Sequence, residues 1–310
     1  LLSIVASRNR DCKVNLLDLT VGIINWNTKK LLERCLEVLF QDADSHNSLI
    51  VVADNNSTDG SQEMVKKEFP QVRLIANDAN VGFATAANHI LKTSRTPFVL
   101  LLNSDTEVTS GSLRIMVDFM KDNPDVAAAG PLILNFDGSI QYSCRNFPSF
   151  IDATVHAFLG AFSPSNPYSA RYKMVDFDRD KQQRVDWISG AAMCLRREAV
   201  EKIGYFDESY YMYVEDMDLC FRLWRSGYKV YYLPRVKVYH HIGQSSKQIN
   251  TKMVFEHQKS IYRFYSKLYA DKPWRHIKFL IGIGLFCRSI LLILLNWIKG
   301  VRSKEPATGK

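Results

Sequence analysis

The sequence predicts a doubly wound α/β fold: a mostly parallel central sheet flanked by helices, with a helical C-terminal extension. Three observations predict it. Over residues 18–130, short apolar runs alternate with segments of helical periodicity. Those runs are apolar throughout, as strands are when both faces of a parallel sheet are covered. Several of them end in Asp, Asn or Gly, at the carboxyl ends where such sheets bind ligands.

The elements follow in order. LTVGII (19–24) reads as a strand and LLERCLEVLF (31–40) as a helix. SLIVVA (48–53) is a strand and SQEMVKKEF (61–69) a helix; VRLIA (72–76) is a strand and GFATAANHILKT (82–93) a helix. FVLLL (98–102), SLRIMVDFM (112–120) and VAAAG (126–130) continue the alternation as strand, helix and strand. After residue 131 the rhythm changes. LILNFDGSIQYS carries an Asp137-Gly138 turn between two extended runs and reads as a hairpin. Residues 163–185 are polar, with two prolines, and read as a loop. VDWISGAAMCLRREAVEKIGYFDE reads as a strand and a helix ending at Gly204. A helix from about Val214 follows, then strands KVYYL and VKVYH, then helical sequence over 250–299. The expected organisation is a lead-in (1–17), one domain (18–250, in halves 18–130 and 131–250) and C-terminal helices (251–310).

Composition narrows the class. The 310 residues carry a net charge of +8, which favours anionic partners such as nucleotides or phospholipid head groups. Lys and Arg are spread out and form no recognised nucleic-acid motif, so no nucleic-acid partner is expected. The 6 cysteines form no CxxC pair, and several sit in apolar runs, as buried thiols do in a reducing compartment. No secretory signal is recognised. FLIGIGLFCRSILLILLNWI (279–298) just reaches the length of a bilayer span, but Arg288 inside it is costly there. Lys272, Arg275 and Lys278 precede it; Lys299, Arg302 and Lys304 follow. A span, an interfacial helix on anionic lipid, and a packed helix pair or homo-oligomer contact all fit this segment.

Four strand ends carry the polar chemistry. DNNSTDG (54–60) can hydrogen-bond a nucleobase or ribose, with Asp59 and Gln62 resembling a capping box. NVGFATAAN (80–88) offers Gly82 for close backbone approach and Asn88 in the helix behind it. In LLLNSD (100–105), Asp105 stands just past a wholly apolar strand, where a carboxylate can hold a divalent cation shared with phosphate oxygens. In VYHHIGQSS (238–246), His240 or His241 can complete that site, manganese being the readier acceptor of imidazole. Neither a GxGxxG nor a GxxxxGK is present, and GIINWNTKK (22–30) lacks the glycine-rich turn of a nucleotide-dependent oxidoreductase.

The acids of ESYYMYVEDMDLCFRLWRSG (208–227) separate on a helix. Leu219, Cys220, Leu223 and Trp224 form its apolar stripe, and Asp216 points with them, inward. Asp218 falls on the other side, with Arg222 four residues on, as an ordinary solvated ion pair.

This ordered set closely resembles family 2 glycosyltransferases of the GT-A fold, in the branch that includes bacterial rhamnosyltransferases of O-antigen and cell-wall assembly. The resemblance covers roughly residues 18–250. It implies an inverting transfer of a sugar, rhamnose in that branch, from a UDP- or dTDP-linked donor to a glycan or polyprenyl-diphosphate-linked acceptor. It implies that 18–130 bind nucleotide and 131–250 bind acceptor. Asp54 matches the aspartate that contacts the base, and Asn55, Gly82, Asn88 and Ser104 fall in the nucleotide-binding motifs. Asp105 matches the last acid of the DxD-like motif that binds Mn2+ or Mg2+; Asn103-Ser104-Asp105 lacks the first acid. Asp216 matches the general base, with Glu215 beside it. His240 falls at the metal- or phosphate-contacting histidine, a register supported by Ser245. Trp187, Gly190 and Asp207 fall at the acceptor side. A cytoplasmic location at the inner face of the cell membrane follows. The alternative is a non-catalytic nucleotide-sugar-binding or scaffold protein on a decayed transferase fold.

Overall fold

The computed structural model describes residues 18–42, 44–45, 48–147, 174, 177–241, 251–271, 273, 276 and 278–302. The lead-in, most of the 163–185 loop and Ser245 lie outside the described residues.

Strands β1 (Leu19–Asn25), β2 (Leu49–Asp54), β3 (Arg73–Ala76) and β4 (Phe98–Asn103) form a parallel block ordered β3-β2-β1-β4. β1 is buried along its whole length, which explains why its sequence is apolar on both faces. Its alternate residues serve two cores. Val21 and Ile23 pack with Leu32, Leu36 and Leu39 of α1 (Lys29–Gln41) and with Met64 of α2 (Ser61–Glu68). Ile24 packs on the other face with Ala84, Ala87 and Ile90 of α3 (Gly82–Thr93). Gly22 lies under α3, where a Cβ would stand 2.6 Å from Ile90, so only glycine lets the helix settle this close.

Beyond β4 the sheet changes direction. Three further strands enter here: β5 (Thr106–Val108), β6 (Val126–Leu134) and β11 (Ala192–Arg196). β11 runs antiparallel to both β4 and β6. β12 (Lys229–His240) is parallel to β6 and antiparallel to β5 at the edge. The sheet therefore remains mostly parallel but carries antiparallel insertions where sequence alternation fades.

Three local expectations change. KVYYL and VKVYH form the single strand β12; its register with β6 slips between Leu233 and Lys237, around Pro234, which has no N–H for the ladder. The strand expected over 185–195 divides. β8 (Cys144–Arg145) pairs with β10 (Trp187–Ile188), Ser189-Gly190-Ala191 turn the chain, and β11 then joins the main sheet. The third concerns α6 (Glu215–Arg225), which buries Leu219, Cys220 and Leu223. Trp224 is exposed instead, with Arg184 over its ring. Asp218, expected in solvent, is fully buried and bonded to Arg222 at 2.8 Å, Lys267 at 2.7 Å and the Tyr210 hydroxyl at 3.2 Å. Helical periodicity could not foresee this, because Phe264 and Lys267 of α7 (Thr251–Leu268) pack against Phe221 and Asp218 of α6.

Candidate active site

The carboxyl ends of the parallel strands gather the polar residues. At the end of β2, Asp54 is wholly buried. Its carboxylate accepts from Asn25 Nδ2 (2.7 Å), Ser57 N (2.8 Å), Ser57 Oγ (2.7 Å) and Gln62 Nε2 (2.7 Å). Those four bonds shape the 54–62 turn. Gln62 thus serves Asp54 rather than a capping box, while Asp59 accepts from Lys29 N and Ser61 N and ties α1 to α2. Asn55 donates to Gly82 O (3.2 Å) and Asn80 Oδ1 (3.3 Å), joining the second strand end to the first. Ser104 Oγ lies 2.6 Å from Thr28 Oγ, which donates to Asn25 Oδ1.

Asn88 departs from expectation. Its Nδ2 donates to Phe206 O (3.0 Å) and Glu208 Oε1 (2.8 Å), and its Oδ1 accepts from Phe206 N (3.0 Å). Both its N–H bonds hold the 205–208 loop, so Asn88 clamps that loop in place. Gly82, at φ +81°, approaches the same loop so closely that a Cβ would stand 2.3 Å from Tyr211 O. The 80–88 motif is therefore the seat on which the loop leading to Glu215 rests.

Asp105 and His240 meet two residues beyond β4. His240 pairs with Thr106 across β12 and β5, and His241 N donates to Asp105 O at 2.9 Å. His240 Nε2 stands 3.2 Å from Asp105 Oδ1, yet that buried oxygen has no hydrogen-bond partner. Gln141 explains the misfit. Its Nε2 donates to His240 O (2.7 Å) and Asn135 Oδ1 (2.8 Å), so its Oε1, 2.9 Å from His240 Nδ1, is an acceptor. Nδ1 then carries a proton, and in the neutral imidazole Nε2 turns its lone pair toward a carboxylate lone pair. Two lone pairs facing each other is the arrangement a cation relieves, so the residues fit a divalent metal. His241 lies elsewhere, stacked on Phe136 with centroids 3.8 Å apart. Among the described residues no group of three or more His, Cys, Asp or Glu could hold a metal, so this pair would share an ion with substrate oxygens and water.

The third group is set by α6. Asp216 accepts from Met217 N (2.8 Å) and, across the sheet end, from Gly190 N (2.9 Å). Gly190 sits tightly, a Cβ there meeting Phe83 at 3.2 Å and Asp216 Cβ at 3.6 Å. Asn103 N donates to Ala191 O at 3.0 Å. A short chain of bonds thus joins the strand end bearing Asp105 to the turn bearing Gly190 and to Asp216. Tyr213 and Val214, just before α6, have φ of 68° and 73°. A β-branched residue in the left-handed region is strained, and strain of this kind clusters at functional sites.

Electrostatics separates the two neighbouring acids. Burial, then the nearby Asp216, raises the Glu215 carboxyl to about 8. Its Oε2 has no partner. Burial also raises Asp216, but the Gly190 and Met217 N–H groups and the Arg145 charge oppose it. The proton of the pair therefore rests on Glu215, and Asp216 keeps the charge.

Two residues expected at the acceptor side have these surroundings. Trp187 is buried, its Nε1 donating to Asn146 O and Arg145 lying over its ring. Asp207 is turned away to α7: Lys267 Nζ donates to it at 2.6 Å, and it also accepts from Ser209. Burial raises the Asp207 carboxyl, but those bonds outweigh it and bring it to about 2. Sequence reasoning missed Asn25, Gln141, Arg145 and Lys267, none of which stands in a recognisable motif.

The sheet order and its flanking helices are those of the GT-A fold. Two solved transferases share the architecture. One is GalNAc-T7 with UDP, GalNAc and Mn2+ (TM-score 0.59, 17% identity, 84% of this chain and 49% of that one). The other is the mannosyltransferase PcManGT of Pyrobaculum calidifontis with GDP-Man and Mn2+ (TM-score 0.55, 16% identity, 91% and 80%). The model of the family described as Glycosyl transferase family 2 matches residues 20–204, and the chain belongs to that family, a hexosyltransferase. It is 32% identical over 266 residues to the N-acetylglucosaminyl-diphospho-decaprenol L-rhamnosyltransferase of Mycobacterium tuberculosis, covering 82% of this chain and 86% of that protein. The matched span of the family contains Asp54 and Asp105 and ends before Asp216.

Proposed function

We propose that this transferase moves a hexose, with rhamnose the best-supported choice, from a UDP- or dTDP-linked donor to a saccharide on a polyprenyl diphosphate, inverting the anomeric centre. The similarity to the mycobacterial enzyme supports the sugar and the lipid-linked acceptor. A nucleotide-sugar donor, reducing-compartment thiols and a membrane-borne acceptor together favour work at the cytoplasmic face of the cell membrane.

The observation that carries the reading is the hydrogen-bonded chain from the Asp105 strand end through Gly190 to Asp216. That chain supports a reading in which leaving-group and acceptor chemistry share one edge of the sheet. Asp105 and His240 would hold Mn2+ or Mg2+, and Gln141 fixes the His240 tautomer for it. The ion would neutralise charge developing on the departing diphosphate. The acceptor hydroxyl must shed its proton as its oxygen attacks the anomeric carbon. Asp216 takes that proton: burial lifts its basicity toward neutral pH, while two backbone N–H groups aim it. Protonated Glu215 adds no second negative charge beside it. Asp54, Asn55 and Ser104 act by shaping the nucleotide-side turns, and Gly82 and Asn88 by seating the 205–214 loop.

Asp216→Asn tests the assignment. Transfer should fall by roughly 10²–10⁴, the usual worth of a general base, with nucleotide binding and melting temperature close to wild type. Undiminished transfer by the folded variant would overturn it.

A further inference from the structure

α8 (Lys278–Arg302) has two unlike faces. One packs on α7. Leu285 and Ser289 are buried there, Gly282 lies against Tyr262, and Arg288 Nη1 donates to Gln258 Oε1 at 2.9 Å. The costly arginine of this apolar segment thus points into the protein. The other face is bare: Phe279 (61% exposed), Leu280 (68%), Ile283 (62%), Phe286 (58%) and Ile290 (43%) recur at i, i+1, i+4, i+7 and i+11. Cys287, at i+8, is exposed among them. Isolated exposed apolar residues are ordinary; a continuous stripe along one helix face marks an interaction surface.

We propose that this face of α8 is where the protein rests on an anionic lipid bilayer, the helix lying along the interface rather than across it. Three observations choose this occupant. No helix among the described residues is long and apolar enough to cross a membrane. The apolar stretch is flanked in sequence by three cations on each side, in a chain of net charge +8, which suits anionic head groups. Arg288 is satisfied by Gln258 of α7 and buried Ser289 by Leu285 O within α8, so neither interrupts the outer face, which stays apolar from Phe279 to Ile290 as an interfacial helix requires.

The docking face is wired to the site. α7 is sandwiched between α8 and the loop that leads to Asp216. Gln258 and Tyr262 meet α8, whereas Ser260 donates to Met212 O, Arg263 to Ser209 O, and Lys267 to Asp207 and Asp218. A bilayer under α8 therefore lies about two helix layers, roughly 20 Å, from the 207–213 loop, the side from which a lipid-linked acceptor would arrive. This arrangement rests on the lipid-linked acceptor proposed above, and its test separates the two.

The test is co-sedimentation of the full chain with vesicles of phosphatidylcholine and phosphatidylglycerol, and with phosphatidylcholine alone. Wild type should bind the anionic vesicles preferentially, and Ile283→Glu/Phe286→Glu should bind at least ten-fold more weakly. The double variant should keep full transfer to a water-soluble short-chain acceptor and lose transfer to a vesicle-borne one. A second readout needs no charge insertion. In a Cys12→Ser background, an environment-sensitive fluorophore on Cys287 should shift to the blue on anionic vesicles and be quenched by shallow rather than mid-bilayer lipid quenchers. Equal vesicle binding by wild type and double variant, or no shift of the label, would overturn the proposal. So would a dimer that the substitutions dissociate without changing vesicle binding, which would assign the face to a second copy. Vesicle binding by an enzyme that transfers to neither acceptor would sink the acceptor reading and leave the surface standing.

Discussion

Glu215 and Asp216 are neighbours in the chain and unequal in their surroundings. Asp216 receives two backbone N–H groups; Glu215 is buried with an unpartnered oxygen and is raised to about 8. The inequality has a stability consequence. Folded Glu215 holds its proton above the pH at which the unfolded chain releases it, near 4.5. Its contribution is thus complete in acid and fades as pH rises from about 4.5 through about 8. Glu215→Gln should flatten the fall in melting temperature over that window. The part of the pH-dependent stability that Glu215 carries should disappear. An unchanged slope in pH-dependent thermal melts would place the proton elsewhere. Gln141 makes a second prediction at this scale. It holds the Nδ1 side of His240, and such partners are worth about 10–100-fold in metal affinity. Gln141→Leu should raise the manganese concentration needed for half-maximal transfer by that factor, with the maximal rate less affected.

Among the elements, α7 decides how α6 presents its acids. Lys267 reaches Asp207 in the loop and Asp218 on α6, while Arg222 approaches Asp218 from the other side. Asp218 is fully buried, so removing a cation leaves a carboxylate partly uncompensated in a low dielectric. Lys267→Met should cost about 3 kcal/mol in denaturant unfolding. Transfer should fall as well, because the 207–214 loop loses an anchor. Pairing it with Asp218→Asn should recover part of the loss, as expected for residues in one network. Additive losses in that double variant would show the contact to be incidental. The motif order in the sequence made the strand ends at Asp54 and Asp105 legible. It did not reveal that NVGFATAAN seats a loop, that Asp207 faces α7, or that Asp218 is buried. Each depends on a partner more than a hundred or about fifty residues away, and local periodicity carries no trace of it.

At the scale of the whole molecule, the site belongs to the native state alone: Asp105, His240, Gly190 and Asp216 converge only once β4, β11 and β12 are in register. A ligand that binds only the folded chain raises its melting temperature by mass action. UDP or dTDP with manganese should therefore stabilise the protein by about 2.7 kcal/mol at a hundred-fold excess over Kd. Chelation of the metal should abolish most of that gain. Stabilisation indifferent to manganese would remove Asp105 and His240 from the nucleotide site.

The sequence by itself determined the doubly wound class, because buried parallel strands must be apolar on both faces and their carboxyl ends must be polar to meet a ligand. It also determined the candidate acids, since residue type and order along the chain are local facts. The tertiary structure alone decided which acid is charged, which is spent on the fold and which face of α8 is bare. Charge state, hydrogen-bond satisfaction and exposure are set by what packs against a residue. In this chain, the packing partners come from β11, α6 and α7, far along the sequence from the motifs they complete.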